Sequence, residues 1–221
     1  MRSFTFPGTY EDEAGVESVR WRVVPTWSPG WWPGYAVITT IRGIRVRGGD
    51  FDRLEPQDRA AAQDVLTWDR GGLTECLLTG ELPVTLESAA GGHPTVVRFE
   101  LDLRRAARAP DRPRHVLRLS CVLDGVESAA GGDWFEDGLL ALESALPPAV
   151  CLRACVTCRY GDYSPDGHGL TGMRCHRDAK EQYLTARSAP DYWDVPVTEE
   201  VLETYLCPEY RRRLPGTGSH G

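Results

Sequence analysis

Val96-Val97-Arg98-Phe99-Glu100-Leu101-Asp102-Leu103 alternates apolar and charged side chains almost without interruption. Successive side chains of an extended strand point to opposite faces, so Val97, Phe99, Leu101 and Leu103 share one face and Arg98, Glu100 and Asp102 the other. One face of that strand belongs against a core and one in water, which is how antiparallel sheets are built. The same patterning runs through residues 19–24, 35–46 and 116–123. Turn formers punctuate the strands at Ser28-Pro29-Gly30, Gly48-Gly49-Asp50, Gly91-Gly92-His93-Pro94 and Ala109-Pro110-Asp111. Short, turn-rich connections predict an antiparallel body over residues 1–150.

Helices are expected where the alternation stops. Residues 54–66 combine Glu55-Pro56 near a helix start with an alanine-rich centre. Residues 133–146 carry Asp133 as a cap, Glu136 three places on, and Trp134, Leu139, Leu140 and Leu146 for the core, before Pro147-Pro148 ends the run. Further on, residues 149–156 read as a short apolar strand, and 176–186 and 198–206 as helices, the second capped by Thr198 with Glu199 and Glu200 in its first turn. The fold class expected is therefore α+β: a strand-rich N-terminal body (1–150) packed as one unit with a C-terminal helical, four-cysteine, metal-bound subdomain (151–221).

Composition narrows the partners. With 221 residues and 41% hydrophobic content, the chain can bury a core unaided. A formal charge of −7 disfavours nucleic acid, whose phosphates call for clustered Lys and Arg; Arg211-Arg212-Arg213 is read as a solvated run at a helix end. The sequence carries neither an apolar run long enough to span a bilayer nor an export-signal pattern at its start, so a cytoplasmic location without membrane contact is expected. Lys180 is the sole lysine and asparagine is missing, while Arg, Gly, Ala and Pro abound, a bias that suggests a GC-rich bacterial genome such as an actinomycete's.

Seven cysteines in such a chain point to metal ligation or thiol chemistry before disulfides. Cys155-Val156-Thr157-Cys158 has the spacing at which a tight turn aims two sulfurs at one ion, and Cys175 and Cys207 are the natural third and fourth ligands of a tetrahedral zinc site. An iron–sulfur cluster, which also accepts four thiolates, is the alternative. Cys151 and His176 stand beside the set and are read as bystanders; Cys76 and Cys121 are read as small buried residues. A thioredoxin-like role for the CxxC pair is disfavoured because Arg159 to Pro165 reads as loop rather than helix.

Other motifs are weaker. Gly167-His168-Gly169-Leu170-Thr171-Gly172 matches GxGxxG by letter but follows a polar loop, not a buried strand. His168, with Asp162, Tyr163 and Asp166 nearby, frames the enzyme alternative of a cleft near the 167–172 loop. Trp27, Trp31 and Trp32 are expected to cap the sheet core rather than form a binding surface.

The run Asp133-Trp134-Phe135-Glu136-Asp137, Cys155-Val156-Thr157-Cys158, Asp162-Tyr163-Ser164-Pro165, Gly167-His168-Gly169, Cys175, Lys180-Glu181 and Tyr183-Leu184, followed by Glu203-Thr204-Tyr205-Leu206-Cys207-Pro208-Glu209 and Pro215-Gly216-Thr217-Gly218, resembles an uncharacterised bacterial family of unknown function. The resemblance is looser upstream, at Ile41-Arg42-Gly43 and Asp50-Phe51, and the chain departs from the pattern at Cys151, His176 and Ser219-His220. It implies that the four-cysteine pattern belongs to the family and implies no activity. The functional expectation is a non-catalytic zinc-binding module that contacts a protein partner, with oligomeric state left open.

Overall fold

The computed structural model describes residues 2–26, 34–104, 115–163 and 172–214. Five strands follow one another as antiparallel neighbours: β1 (Phe4–Asp12), β2 (Gly15–Thr26), β3 (Gly34–Ile41), β4 (Ile44–Gly48) and β5 (Glu55–Pro56). A short excursion of α1 (Arg59–Ala62), β6 (Trp68–Asp69) and β7 (Gly72–Leu73) leads to the long hairpin β8 (Leu77–Ser88) and β9 (Gly91–Asp102), then to β10 (Val116–Leu123) and β11 (Val126–Gly132). Helix α2 (Phe135–Ala145) packs on β10 and β11, and β12 (Cys151–Arg153) adds to β8. The spatial order is β11-β10-β9-β8-β1-β2-β3-β4-β5. Downstream lie β13 (Gly161–Asp162), β14 (Met173–Cys175), α3 (Lys180–Thr185), α4 (Ala189–Trp193) and β15 (Glu199–Val201), with the three strands forming a second small antiparallel sheet.

The alternation of β9 behaves as its pattern dictates: Val97, Phe99, Leu101 and Leu103 are buried while Arg98 and Glu100 are exposed. Inside the curled sheet an aromatic cluster forms, with ring centroids of Trp21 and Phe51 5.2 Å apart, Phe51 and Phe99 5.0 Å, and Phe99 and Phe135 5.4 Å. Phe51 follows β4 and Phe135 opens α2, so the two ends of the sheet face each other across this core. Gly8 is bare because the Trp21 indole crosses it: a Cβ there would sit 2.2 Å from Trp21 Nε1, which donates to the Thr79 carbonyl at 2.6 Å.

The C-terminal third differs from the expected helical, metal-bound subdomain. Residues 198–206 are β15 and irregular chain, because Glu199–Val201 pairs with Met173–Cys175 and Val201 and Leu202 bury in the same core as the large sheet. Tertiary pairing and burial outweigh the helix cap that Thr198 and two glutamates offer. Residues 176–186 contain only the short α3; the chain from His176 to Ala179 is a turn, with Ala179 N–H donating to the His176 carbonyl at 3.0 Å. The fold is thus predominantly antiparallel sheet with few, short helices.

Smaller differences have local causes. Residues 54–66 divide into β5, paired with β4, and α1, whose N-terminus is capped by Asp58. The strand expected over 149–156 stops at Arg153 and becomes a 3-10 turn over Cys155–Thr157. Helix α2 forms where expected, but Trp134 rather than Asp133 is its N-cap, and Leu140, expected in the core, is exposed. Trp27, Trp31, Trp32, Asp166, His168, the 167–171 part of the glycine loop and the tail from Pro215 lie outside the described residues. No helix among the described residues is long and apolar enough to cross a membrane.

Candidate metal centre and a buried acid

The CxxC segment is a closed turn clamped by remote chain. Cys158 N–H donates to the Cys155 carbonyl at 3.0 Å, and the Thr157 hydroxyl donates back to the Leu152 carbonyl at 2.6 Å. Cys155 N–H donates to Tyr205 O at 2.8 Å and Val156 N–H to Glu203 O at 3.0 Å, while Arg213 N–H returns to Thr157 O at 2.9 Å. Residues 203–213 therefore wrap the turn on both sides. Gly161 closes the third side, where a Cβ would lie 2.6 Å from the Cys155 carbonyl oxygen.

Cys175 ends β14, held between Gly161 of β13 and Glu199 of β15. Its sulfur faces the Arg177 guanidinium at 3.6 Å and also accepts the Arg177 backbone N–H. Cys207 accepts the Glu209 N–H at 3.3 Å. An amide two residues beyond a cysteine, aimed at its sulfur, stabilises a thiolate. All four cysteines are buried and none is in a disulfide. Burial pushes the Cys155 thiol well up from its ordinary range, and Cys158, Cys175 and Cys207 push it the same way. Burial also raises Cys175, against the lowering influence of Arg177. Among the described residues no group of three or more His, Cys, Asp or Glu side chains is arranged to hold a metal ion.

The two neighbours of the set are otherwise engaged. His176 is buried, with Nδ1 3.0 Å from the Pro196 carbonyl and its ring stacked on Tyr183 at 4.8 Å; burial lowers its pKa. Cys151 is raised by burial, and its leading electrostatic neighbours are Arg212, Glu143, Glu87 and Arg153 rather than other thiols. Cys121 lies in β10 as expected, whereas Cys76 sits just ahead of β8.

The acids of this region are more buried than their sequence suggests. Asp162 is 1% exposed and accepts from the Tyr183 hydroxyl at 2.8 Å, an engagement that suits structure better than general-base work. Glu203, which the sequence reading passes over, is 3% exposed and accepts from the Tyr163 hydroxyl at 3.2 Å. Desolvation pushes its carboxyl up to about 8, opposed by its own backbone N–H, Tyr163 and the Gly172 N–H. It borders a cavity of about 10 Å³ walled by Phe6, Val23, Phe51, Leu82 and Phe135, which holds about one water molecule. An acid kept neutral in an aromatic pocket resembles a general acid, yet this cavity is too small for a substrate. A larger surface groove of about 390 Å³, between β1 and β8, is lined by apolar and threonine side chains together with Tyr205.

A family model described as "Family of unknown function (DUF6304)" matches residues 4–161. That span covers the large sheet, α2 and the CxxC turn, and stops short of Cys175 and Cys207. No curated protein and no solved structure matches the chain.

Proposed function

The chain belongs to the DUF6304 family, whose function is unknown, and we propose that it is a non-catalytic, cytoplasmic interaction module whose C-terminal segments are pinned by a structural zinc ion on Cys155, Cys158, Cys175 and Cys207. The observation that carries this reading is that four buried, unbridged cysteines lie on segments bonded to one another: Cys155 N–H donates to Tyr205 O, two residues from Cys207, and Cys175 pairs with Gly161, three residues from Cys158. Zinc takes four thiolates tetrahedrally, and amide N–H groups on two of the sulfurs offset part of the accumulated negative charge. Binding one ion would tie segments 155–158, 173–175 and 205–209 together in addition to their backbone hydrogen bonds, the three-stranded sheet and the shared core.

Elemental analysis of untagged, anaerobically purified protein tests the reading, comparing wild type with Cys158→Ser and Cys207→Ser. The expected result is one zinc per chain in the wild type and loss of the metal in both variants, with a lowered melting temperature. Iron with acid-labile sulfide in place of zinc would replace the structural ion by a cluster. A metal-free wild type that melts identically with and without chelator would refute a metal role.

A further inference from the structure

The two ends of the large sheet are built differently. At one end, β5 is two residues long and includes Pro56, both devices that stop further strand pairing. At the other, β11 is seven residues long, Val126-Glu127-Ser128-Ala129-Ala130-Gly131-Gly132, without proline or lysine and with one charge. Among the described residues no strand pairs with its outer side. Glu127, Ala129 and Gly131 are exposed.

The hairpin geometry says which backbone groups are free. Asp124 and Gly125 both have positive φ, 52° and 80°, and connect the pair Leu123 and Val126. That is a two-residue turn of the primed type, which makes the closing pair a hydrogen-bonded one. Alternation then directs the N–H and C=O of Val126, Ser128, Ala130 and Gly132 to β10, and those of Glu127, Ala129 and Gly131 outward.

We propose that β11 is a self-association edge, on which β11 of a second copy of this chain pairs antiparallel about a twofold axis at Ala129, joining two sheets into one. The proposal names the partner in the interaction half of the functional reading and is independent of the metal half. The register follows from the side chains. Ala129 faces Ala129 of the second copy, Glu127 faces Gly131, and Val126, 58% exposed in the single chain, faces Gly132 on the sheet side that α2 covers. Within one chain Gly131 is already paired with Arg118 of β10, an exposed residue whose other neighbour is Glu100. Glu127 of the second copy thus lies in one cross-strand row with Arg118, separated only by a glycine without a side chain, two strand spacings or about 10 Å between Cα atoms. Symmetry makes this ion pair twice. The two Glu127 residues stand about 13 Å apart, beyond a Debye length at physiological salt. A register with Glu127 opposite Glu127 would instead juxtapose like charges.

Sedimentation velocity on the full chain across about 1–200 μM, a range that brackets a micromolar dissociation constant, tests the pairing, with metal content measured on the same samples. Wild type is expected to move from monomer to dimer. Ala129→Pro, which removes an outward amide without touching the β10 ladder, is expected to remain monomeric. Glu127→Arg and Arg118→Glu are each expected to weaken the dimer at least tenfold. Mixed one to one they should dimerise again, since each then meets opposite charges in both ion pairs, and a misfolded variant cannot mimic that rescue. Ala129→Pro and Glu127→Arg carry the test alone if Arg118→Glu, placed beside Glu100, disturbs the sheet. A wild type monomeric throughout, zinc-loaded or not, overturns the proposal while leaving the metal reading standing; so does a dimer unaffected by Ala129→Pro and Glu127→Arg.

Discussion

Replacing Glu203 by glutamine removes a titratable group from the core while keeping its shape. The folded-state pKa, about 8, lies above the ordinary 4.5. At acid pH both folded and unfolded chains hold the proton, and the group contributes nothing to pH dependence. As pH rises from 4.5 towards 8, the unfolded chain releases the proton and the folded chain keeps it, so stability falls through this window and levels off above it. The full gap corresponds to a ceiling of about 5 kcal/mol. Water entering the adjoining cavity lowers the realised value, and even ~2 kcal/mol shifts the melting temperature of a chain this size by about 4–8 °C. The substituted glutamine carries a constant cost of its own for an unmatched amide N–H, so the informative quantity is the difference in slope between the two proteins. Thermal melts of wild type and Glu203→Gln at matched zinc, from about pH 5 to pH 8.5, should show the wild type losing ground steadily to the variant. Parallel curves would refute the assignment of a desolvated, neutral Glu203.

Further outcomes follow from the same geometry. Gly8→Ala inserts a methyl between the Trp21 indole and the Thr79 carbonyl and should cost about 3 kcal/mol or more, read as a shift in denaturant midpoint. Asp12 is held by two Arg42 nitrogens and the Tyr10 hydroxyl, and hydrogen bonding to Arg42 keeps its carboxyl below the usual range. Its stabilisation is present above pH 3.8 and lost as pH falls through the lowered value, so Asp12→Asn should cost about 2 kcal/mol at neutral pH and flatten the acid limb of the stability profile. Cys151→Ser should leave zinc stoichiometry unchanged, by the same elemental analysis, because Cys151 lies on β12, paired with Glu87 of β8, and its leading electrostatic neighbours are Arg212, Glu143, Glu87 and Arg153 rather than thiols.

Local alternation by itself marked β2, β9 and β10, but it ran β3 and β4 together over residues 35–46 and passed over β1, β8 and β11, which belong to the sheet through their pairing. The alternation of residues 96–103 and 116–123 needs only the two-residue period of a strand, whereas turn chemistry misled at Gly91-Gly92-His93-Pro94, which lies within β9 and pairs with β8; the turns expected at 28–30 and 109–111 lie outside the described residues. Helix α2 was legible for the same reason, its apolar residues and terminating prolines being local signals. The C-terminal third was not. Glu199-Glu200-Val201 carries helix-start chemistry, yet its backbone groups are claimed by β14 and its apolar residues by the main core, and no local signal encodes either partner. The four cysteines could be listed from spacing, but residues 203–213, which carry Cys207, fold back over the CxxC turn only through tertiary contacts between segments about fifty residues apart. Glu203 was invisible for a related reason: a glutamate in an acidic stretch reads as solvated until tertiary packing places Tyr163 and a wall of phenylalanines around it. Short-range periodicity marked the strictly alternating strands; only long-range packing decided which acid loses its water and which cysteine-bearing segments lie side by side.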